Sequence, residues 1–487
     1  MVYTMEGHAL KHAVEEMLFH LLPTITLTRV DAVEDGDWCR SILTETDGQA
    51  HAKAIVCLDG MVRESVRSAS IEGLQPLDYK RTITELVKTT VYDAVVPALP
   101  QPPVWGSLTG VRPAKLARGL IERGMSRGEA AEYLREHFHV SPARTALTIR
   151  AAATAMELDR AIGPDDISLY VGIPFCPSRC YYCSFVSSTT AQSGHLIEPY
   201  LDTLCREIEE TAALVREAGK QVQSVYIGGG TPTTLDEKQL SRLLAALEKS
   251  FDFSALREYT VEAGRPDTIT PEKLAALRAA GIGRVSINPQ SMEDAVLAAI
   301  GRRHSAGDVL RAYEEARRAG FDAINMDVIA GLTGDTADSF ARTIDTLIGL
   351  APENITVHTL AIKRGADLTD KAAAAAQRDT VSRMLDGAAQ ALQTAGYGPY
   401  YLYRQKFTAG GFENVGWCKP DTECFYNVTM MEELQTILSL GAGGVSKRVE
   451  RATGWIERTN NPKYPLEYIR AADRLAEGKR KLLFPKQ

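Results

Sequence analysis

Between residues 165 and 400 the chain alternates short runs rich in Val and Ile with long amphipathic segments, and this order constrains the fold more than any other feature. The runs cover 169–173, 222–227, 259–262, 284–287, 323–329 and 355–360. Helical patterns fill the gaps at 196–217, 236–247, 271–280, 307–319 and 337–350. Near-continuous apolar runs separated by helices describe a parallel sheet with right-handed crossovers, buried on both faces. Six such units, against the eight of a complete barrel, predict an α/β fold: a partial (β/α)6 barrel with an open side. Chemistry in such folds collects in the loops at the carboxyl ends of the strands.

Two other regimes flank this one. Residues 1–160 predict an α+β N-terminal extension. Leu10, Val14, Met17, Leu18, Leu21 and Leu22 recur at helical spacing up to Pro23, and β-rich runs then alternate with the turn signals Asp35-Gly36, Asp47-Gly48 and Asp59-Gly60. Ser126 followed by Glu129 is a capping box, and Ser141-Pro142 a cap with proline at the first helical position. These short helices read as a packed subdomain rather than a DNA-reading pair, for no basic recognition face is visible. Residues 401–487 lose the alternation and predict a small C-terminal domain, so the expected boundaries are 1–160, 161–400 and 401–487. With 55 Lys and Arg against 62 Asp and Glu, the net charge of −7 argues against a nucleic-acid binder. No apolar run reaches the roughly 18 residues that a membrane span needs. Glu6, Glu15 and Glu16 do not suit a secretion signal, so the expected location is cytoplasmic.

Eight cysteines are present, and three of them fall on one loop after the first barrel strand: Cys176, Cys180 and Cys183, spaced Cys-x₃-Cys-x₂-Cys. Structural zinc wants four ligands, and nothing nearby completes the set. Three thiolates on a short loop suit a cubane iron–sulfur cluster with one iron left free to chelate a small molecule. A zinc site completed from far away and a fortuitous buried trio are the alternatives. The second strand ends in Gly228-Gly229-Gly230-Thr231-Pro232-Thr233, where missing side chains let backbone approach a ligand. Glu262 ends the third strand, Gln290 and Arg302 follow the fourth, and Asp327 lies late in the fifth.

The stretch from Tyr170 to Cys183 resembles the radical S-adenosylmethionine enzymes. Within them it is similar to the branch of oxygen-independent coproporphyrinogen III dehydrogenases and haem chaperones. Gly110-Val-Arg112-Pro113, Ser286-Ile-Asn-Pro-Gln290-Ser291 and Tyr403-Arg404-Gln405-Lys406 extend the resemblance along the whole chain. It implies a [4Fe–4S] cluster on Cys176, Cys180 and Cys183. It further implies S-adenosylmethionine contacts at Tyr170, Tyr182, Gly229, Gly230, Thr231, Glu262, Gln290, Arg302, Asp327 and Ala361. That ligand carries a carboxylate, an ammonium, a sulfonium and ribose hydroxyls, which an arginine, acidic acceptors and an amide would satisfy. The implied reaction is oxidative decarboxylation of coproporphyrinogen III to protoporphyrinogen IX in haem biosynthesis. A 5′-deoxyadenosyl radical would take hydrogen from a propionate of the tetrapyrrole, fed by a low-potential electron donor of flavodoxin or ferredoxin type.

Two positions depart from the decarboxylating relatives. Phe185 stands where they carry a further cysteine, and Gly172 where they carry a histidine. Neither touches cluster binding. Both leave open a haem-binding chaperone and a radical methyltransferase that modifies haem. For a tetra-carboxylate ring, Lys363, Arg364, Arg404 and Lys406 with Tyr400, Tyr401 and Tyr403 are candidate contacts, the alternative being a solvated rim. Gly441-Ala-Gly443-Gly444 reads as a turn, Cys418 and Cys424 as reduced thiols, and His358 as a core or rim histidine rather than a haem ligand or proton donor.

Overall fold

The structure is a computed structural model that describes residues 1–23, 25–33, 35–185, 187–361, 378–405, 411–451 and 453–485. Asp47-Gly48 and Asp59-Gly60 all have positive φ, the geometry of a tight two-residue hairpin loop whose twist matches the flanking strands. They join β3 (Trp38–Thr46), β4 (Gln49–Leu58) and β5 (Met61–Ser70) into an antiparallel meander. β1 (Val2–Glu6) and β2 (Thr28–Arg29) complete the sheet in the order β2-β1-β3-β4-β5. β1 runs parallel to β3 and precedes the helix that the leucine spacing predicts, Lys11–Leu21. That helix and Pro76–Val95 bury Val14, Met17, Leu18, Val87 and Val91 with Tyr3 and Val56 of the sheet. The capping box forms with both of its hydrogen bonds: Glu129 N–H donates to Ser126 Oγ at 3.2 Å, and Ser126 N–H to Glu129 Oε2 at 2.7 Å. Among the described residues this unit spans Met1–Ile149 and takes in Arg404 and Phe412, while a second unit takes most of the chain from Arg150 onward.

The second unit contains the six expected strands: β6 (Asp166–Ile173), β9 (Gln221–Gly229), β10 (Glu258–Glu262), β11 (Arg284–Ser286), β12 (Ala323–Ala330) and β13 (Asn354–Thr359). Each pairs parallel with the next, so this is the partial barrel. Between β6 and β9 a two-residue ladder joins β7 (Phe175–Cys176) to β8 (Ser188–Thr189). The chain after residue 398 adds strands at both ends of the same sheet. β14 (Gly398–Arg404) and β15 (Glu413–Cys418) lie beyond β13, and β16 (Thr436–Leu440), β17 (Val445–Glu450) and β18 (Trp455–Asn460) lie beyond β6.

Strand alternation gives this sheet one apolar face and one polar face. In β6, Ile167, Leu169, Val171 and Ile173 are buried on one side, leaving Ser168, Tyr170 and Gly172 on the other. The register places Tyr170 beside Tyr226, Tyr226 beside Thr260, and Glu262 beside Ser286 on that second face. At the amino ends of the strands, Glu258 accepts from the backbone N–H groups of Phe425 (2.7 Å) and Tyr426 (3.1 Å). Arg284 lies 3.4 Å from the same carboxylate. A carboxylate at a helix amino terminus meets both orphan donors and the helix dipole, so Phe425–Glu432 is seated against the sheet. It brings Tyr426 into a stack with Tyr226, 4.6 Å between centroids, and with Tyr170 at 6.3 Å. Among the described residues no helix is long and apolar enough to cross a membrane.

A buried ion pair closes the carboxy-terminal end. Lys479 Nζ lies 2.6 Å from Glu207 Oε1, with both side chains sequestered from water. Glu207 also accepts from Gly441 N–H (2.7 Å), Tyr468 OH (2.6 Å) and Asn461 Nδ2 (2.7 Å). Removing one partner of such a pair leaves an uncompensated buried charge, at a cost of about 3–5 kcal/mol. Lys479→Met is therefore expected to lower the calorimetric unfolding midpoint of the second unit by many degrees. A wild-type melting curve would show that the pair carries no net stability.

Candidate functional site

The cysteine loop leaves β6 at Pro174 and is held by its neighbours. Ser188 N–H donates to the Pro174 carbonyl (2.8 Å), Tyr181 N–H to Ile300 O (3.2 Å) and Cys183 N–H to Cys180 O (3.1 Å). Cys180 is buried and Cys176 and Cys183 half-buried. Burial pushes the Cys183 thiol up, and the nearby Cys180 and Cys176 sulfurs add to the shift. Among the described residues no three His, Cys, Asp or Glu side chains gather around a single metal ion. A cubane places its three ligated irons at separate corners and asks for no such convergence.

The glycine segment is fastened beneath this loop. Gly230 N–H donates to Ile173 O and Thr231 N–H to Phe175 O, both at 2.8 Å. Thr231 Oγ1 lies 3.6 Å from Cys176 Sγ. A Cβ on Gly230 would stand 2.6 Å from the Phe175 carbonyl oxygen and 3.0 Å from Cys176 Sγ. Gly229 has φ of +114°, a conformation closed to other residues, and points its N–H at Glu262 Oε2, 3.2 Å away.

Two half-buried carboxylates follow at the strand ends, with opposite tendencies. Burial raises Glu262 to a pKa of about 7, even though Tyr226 OH (2.7 Å) and Gly229 N–H both donate to it. Burial also pushes Asp327 up, but His358, 3.6 Å away, and the Asn325 amide at 2.8 Å outweigh it and hold this carboxyl below its usual range. Gln290 has φ of 68°, in the left-handed region, where its backbone bridges to β12 through Asp327 O (2.9 Å). Its side-chain Oε1 is buried with no partner. Arg302 donates to the carbonyls of Gly264 (3.2 Å) and Asn288 (3.4 Å) and to Tyr182 OH (2.9 Å) on the cysteine loop. Its Nε is likewise buried without a partner. A buried acceptor and a buried donor left unmet are costly unless a ligand answers them. Tyr170 lies in the aromatic stack below Glu262, and Ala361 follows β13, half-buried.

The remaining candidates fare differently. Lys363, Arg364 and Lys406 lie outside the described residues. Arg404 is buried in the N-terminal unit, donating to the carbonyls of Leu108 and Gly411 and lying 5.0 Å over the Trp105 ring, which makes it a packing element there. Tyr400 and Tyr401 are buried, and Tyr403 OH reaches His358 Nδ1 at 3.5 Å. Cys424 donates to Glu258 Oε1 at 3.2 Å, and burial raises both its thiol and that of Cys418. Three neighbours of the site escaped the sequence reading: Tyr226, Tyr426 and Arg265. The Arg265-Pro266-Asp267 run directly after the third strand was the available signal for the last.

Comparison with known proteins bears on the family. Residues 170–347 match the radical SAM superfamily. The oxygen-independent coproporphyrinogen-III oxidase-like protein HemZ of Bacillus subtilis (strain 168) is 39% identical over 386 residues, which cover 78% of this chain and 77% of that protein. The heme chaperone HemW of the same organism is 37% identical over 197 residues, 40% of this chain and 51% of the relative. The solved structure of coproporphyrinogen III oxidase HemN from Escherichia coli superposes with a TM-score of 0.50 at 26% identity, covering 66% of this chain and 72% of that one.

Gly230→Ala tests the fastening of the two segments. The new methyl group meets backbone oxygen rather than a yielding side chain, so the variant is expected to fold yet lose most of the iron that wild type retains after anaerobic reconstitution. Iron quantification equal to wild type would mean that the close approach is not needed.

Proposed function

The chain belongs to the radical S-adenosylmethionine superfamily, in the branch of HemZ, HemW and HemN, whose cofactors are a [4Fe–4S] cluster and S-adenosylmethionine; from that premise we propose that it converts coproporphyrinogen III to protoporphyrinogen IX without oxygen. The residues present fit both groups. Three thiols sit on one loop whose frame closes only over a glycine, and a buried donor and acceptor lie unmet beside two half-buried carboxylates. In this reading Cys176, Cys180 and Cys183 ligate the cluster. Glu262 and the Gly229-Gly230-Thr231 backbone take the ammonium of S-adenosylmethionine, Arg302 its carboxylate end, and Asp327 and the Gln290 Oε1 its ribose hydroxyls. Tyr170, Tyr182 and Ala361 complete the enclosure. When bound, the pair supplies one-electron chemistry that yields a carbon radical. The protein's share is placement and dryness, and the Tyr170, Tyr226 and Tyr426 stack shields the face below Glu262 from water.

The observation that carries the substrate assignment is the likeness to the HemZ relative across three quarters of both chains. A second reading, a haem carrier of the HemW kind, is favoured by Phe185, which is 71% exposed at the position where the decarboxylating relatives carry a cysteine. One anaerobic assay separates them: reconstituted protein with dithionite, S-adenosylmethionine and coproporphyrinogen III, followed by mass spectrometry. Loss of two carbon dioxide masses with matching 5′-deoxyadenosine is expected. Unchanged tetrapyrrole beside 5′-deoxyadenosine would overturn the decarboxylase. Stable haem binding would then favour the carrier, and loss of haem colour a haem-modifying methyltransferase.

Glu262 gives a second test. Its carboxyl is half-protonated near pH 7, and an ammonium ligand needs it ionised. Binding must therefore release a proton below that pH. Affinity for S-adenosylmethionine is expected to rise with pH up to about 7 and then level off. Glu262→Gln should flatten this profile and weaken binding at least tenfold, as fits a charged hydrogen bond worth about 1.5–3 kcal/mol. Calorimetric titration under nitrogen would check it, and an unchanged slope in the variant would remove Glu262 from the ammonium site.

A further inference from the structure

We propose that Arg265 is a positioning residue for the cluster: clamped by Asp267, its guanidinium donates to the sulfur of Cys180 and raises the potential at which the cluster accepts its electron. Arg265 stands three residues after Glu262, is 3% exposed, and begins the turn Pro266–Thr268. Asp267 grips it in two parallel bonds, Nε to Oδ1 and Nη2 to Oδ2, each 2.9 Å. This fork fixes the plane of the guanidinium. The outer edge is thereby turned to the cysteine loop, where Nη1 lies 3.6 Å from Cys180 Sγ and 3.5 Å from Ser178 O, and Nη2 lies 3.1 Å from Ser178 Oγ. The backbone of the turn is tied to the glycine segment in its turn. Thr268 N–H donates to Arg265 O at 2.9 Å, Thr268 Oγ1 bonds Thr233 Oγ1 at 2.6 Å, and Lys273 Nζ reaches Thr233 O at 2.6 Å and Thr268 O at 3.2 Å.

The three sulfurs are not treated alike. Cys176 faces a neutral hydroxyl, Thr231 Oγ1, whereas Cys180 faces a buried cation. Hydrogen bonds to cluster sulfurs and net nearby charge set the potentials of such clusters. The step concerned is the gain of one electron by the oxidised cluster from an external low-potential reductant, with no bond made or broken. That electron adds negative charge to the sulfurs, so a fixed positive charge out of reach of water favours the reduced state. Asp267 holds the geometry and also offsets part of the charge. The two residues should therefore act in opposite directions, which packing alone would not produce. The inference rests on the reading of Cys180 as a cluster ligand and is independent of the substrate.

The test is a dithionite titration of the reconstituted full chain, followed by EPR. Arg265→Gln is expected to leave at least tenfold less reduced relative to oxidised cluster at a fixed potential, a midpoint about 59 mV lower for one electron. Asp267→Asn should shift the midpoint upward, and Arg265→Lys, which keeps the charge, should lie nearer to wild type than Gln does. Equal midpoints for wild type and Arg265→Gln at equal iron content would overturn the proposal, as would shifts of the same sign for Arg265→Gln and Asp267→Asn. Should Arg265→Gln fail to hold iron, Asp267→Asn decides: an unchanged or lowered midpoint overturns the proposal. Cys180→Ala serves as the separate check on the ligand, because a full cluster with the wild-type EPR spectrum in that variant would sink the reading of Cys180 and not merely the role of Arg265.

Discussion

Everything at the strand ends depends on backbone meeting backbone between the glycine segment and the cysteine loop. Among its described residues the loop from Pro174 to Ser188 has little bonding of its own, a two-residue ladder and the Cys183 N–H to Cys180 O bond, too little to fix three side chains. Its shape is imposed from outside, by Gly230 and Thr231 below, Ile300 at the side and Arg265 next to Cys180. Such contacts require a residue without a side chain at the closest point, which is why the Gly230 position admits nothing larger.

The electrostatics of the site follow from how each carboxylate is paired. Glu262 and Asp327 are both half-buried on the same face of the sheet, and desolvation pushes each toward its neutral form. His358 lowers both, but it lies 3.6 Å from Asp327, and together with the Asn325 amide that pairing reverses the direction there. The site therefore offers one settled anion and one carboxylate that a cation can ionise. At the opposite end of the strands, Glu258 and Arg284 use charge differently. There the pair is consumed in seating a helix, whose Tyr426 closes the floor.

The barrel was legible in the sequence because parallel strands, buried on both faces, read as short apolar runs between long amphipathic ones. The cysteine triplet was legible because its members are neighbours in the chain. Features that depend on distant partners were not. β16 joins the sheet by pairing Thr436 with Ile167, and β15 by pairing Asn354 with Cys418, registers that no local pattern contains. β1 was hidden by its mixed composition, Val-Tyr-Thr-Met-Glu, which alternates too weakly to separate from the helix that follows. Arg404 looked like a carboxylate contact because arginine near tyrosines suits a porphyrin; in the fold its charge is spent on carbonyls and the face of Trp105. Arg265 was passed over because its significance lies in the fork with Asp267 and the sulfur beyond it, neither of which is a spacing.

In the proposed function, three cysteines and the strand-end groups around Glu262 would together hold a cluster with one iron open to S-adenosylmethionine. The decisive measurement is EPR with electron–nuclear double resonance on dithionite-reduced protein, adding S-adenosylmethionine enriched in oxygen-17 at its carboxylate. The cluster signal is expected to change on addition, with the labelled oxygen coupled to it. An unchanged spectrum with no oxygen coupling, in protein with a full complement of iron, would contradict an open iron that chelates the ligand.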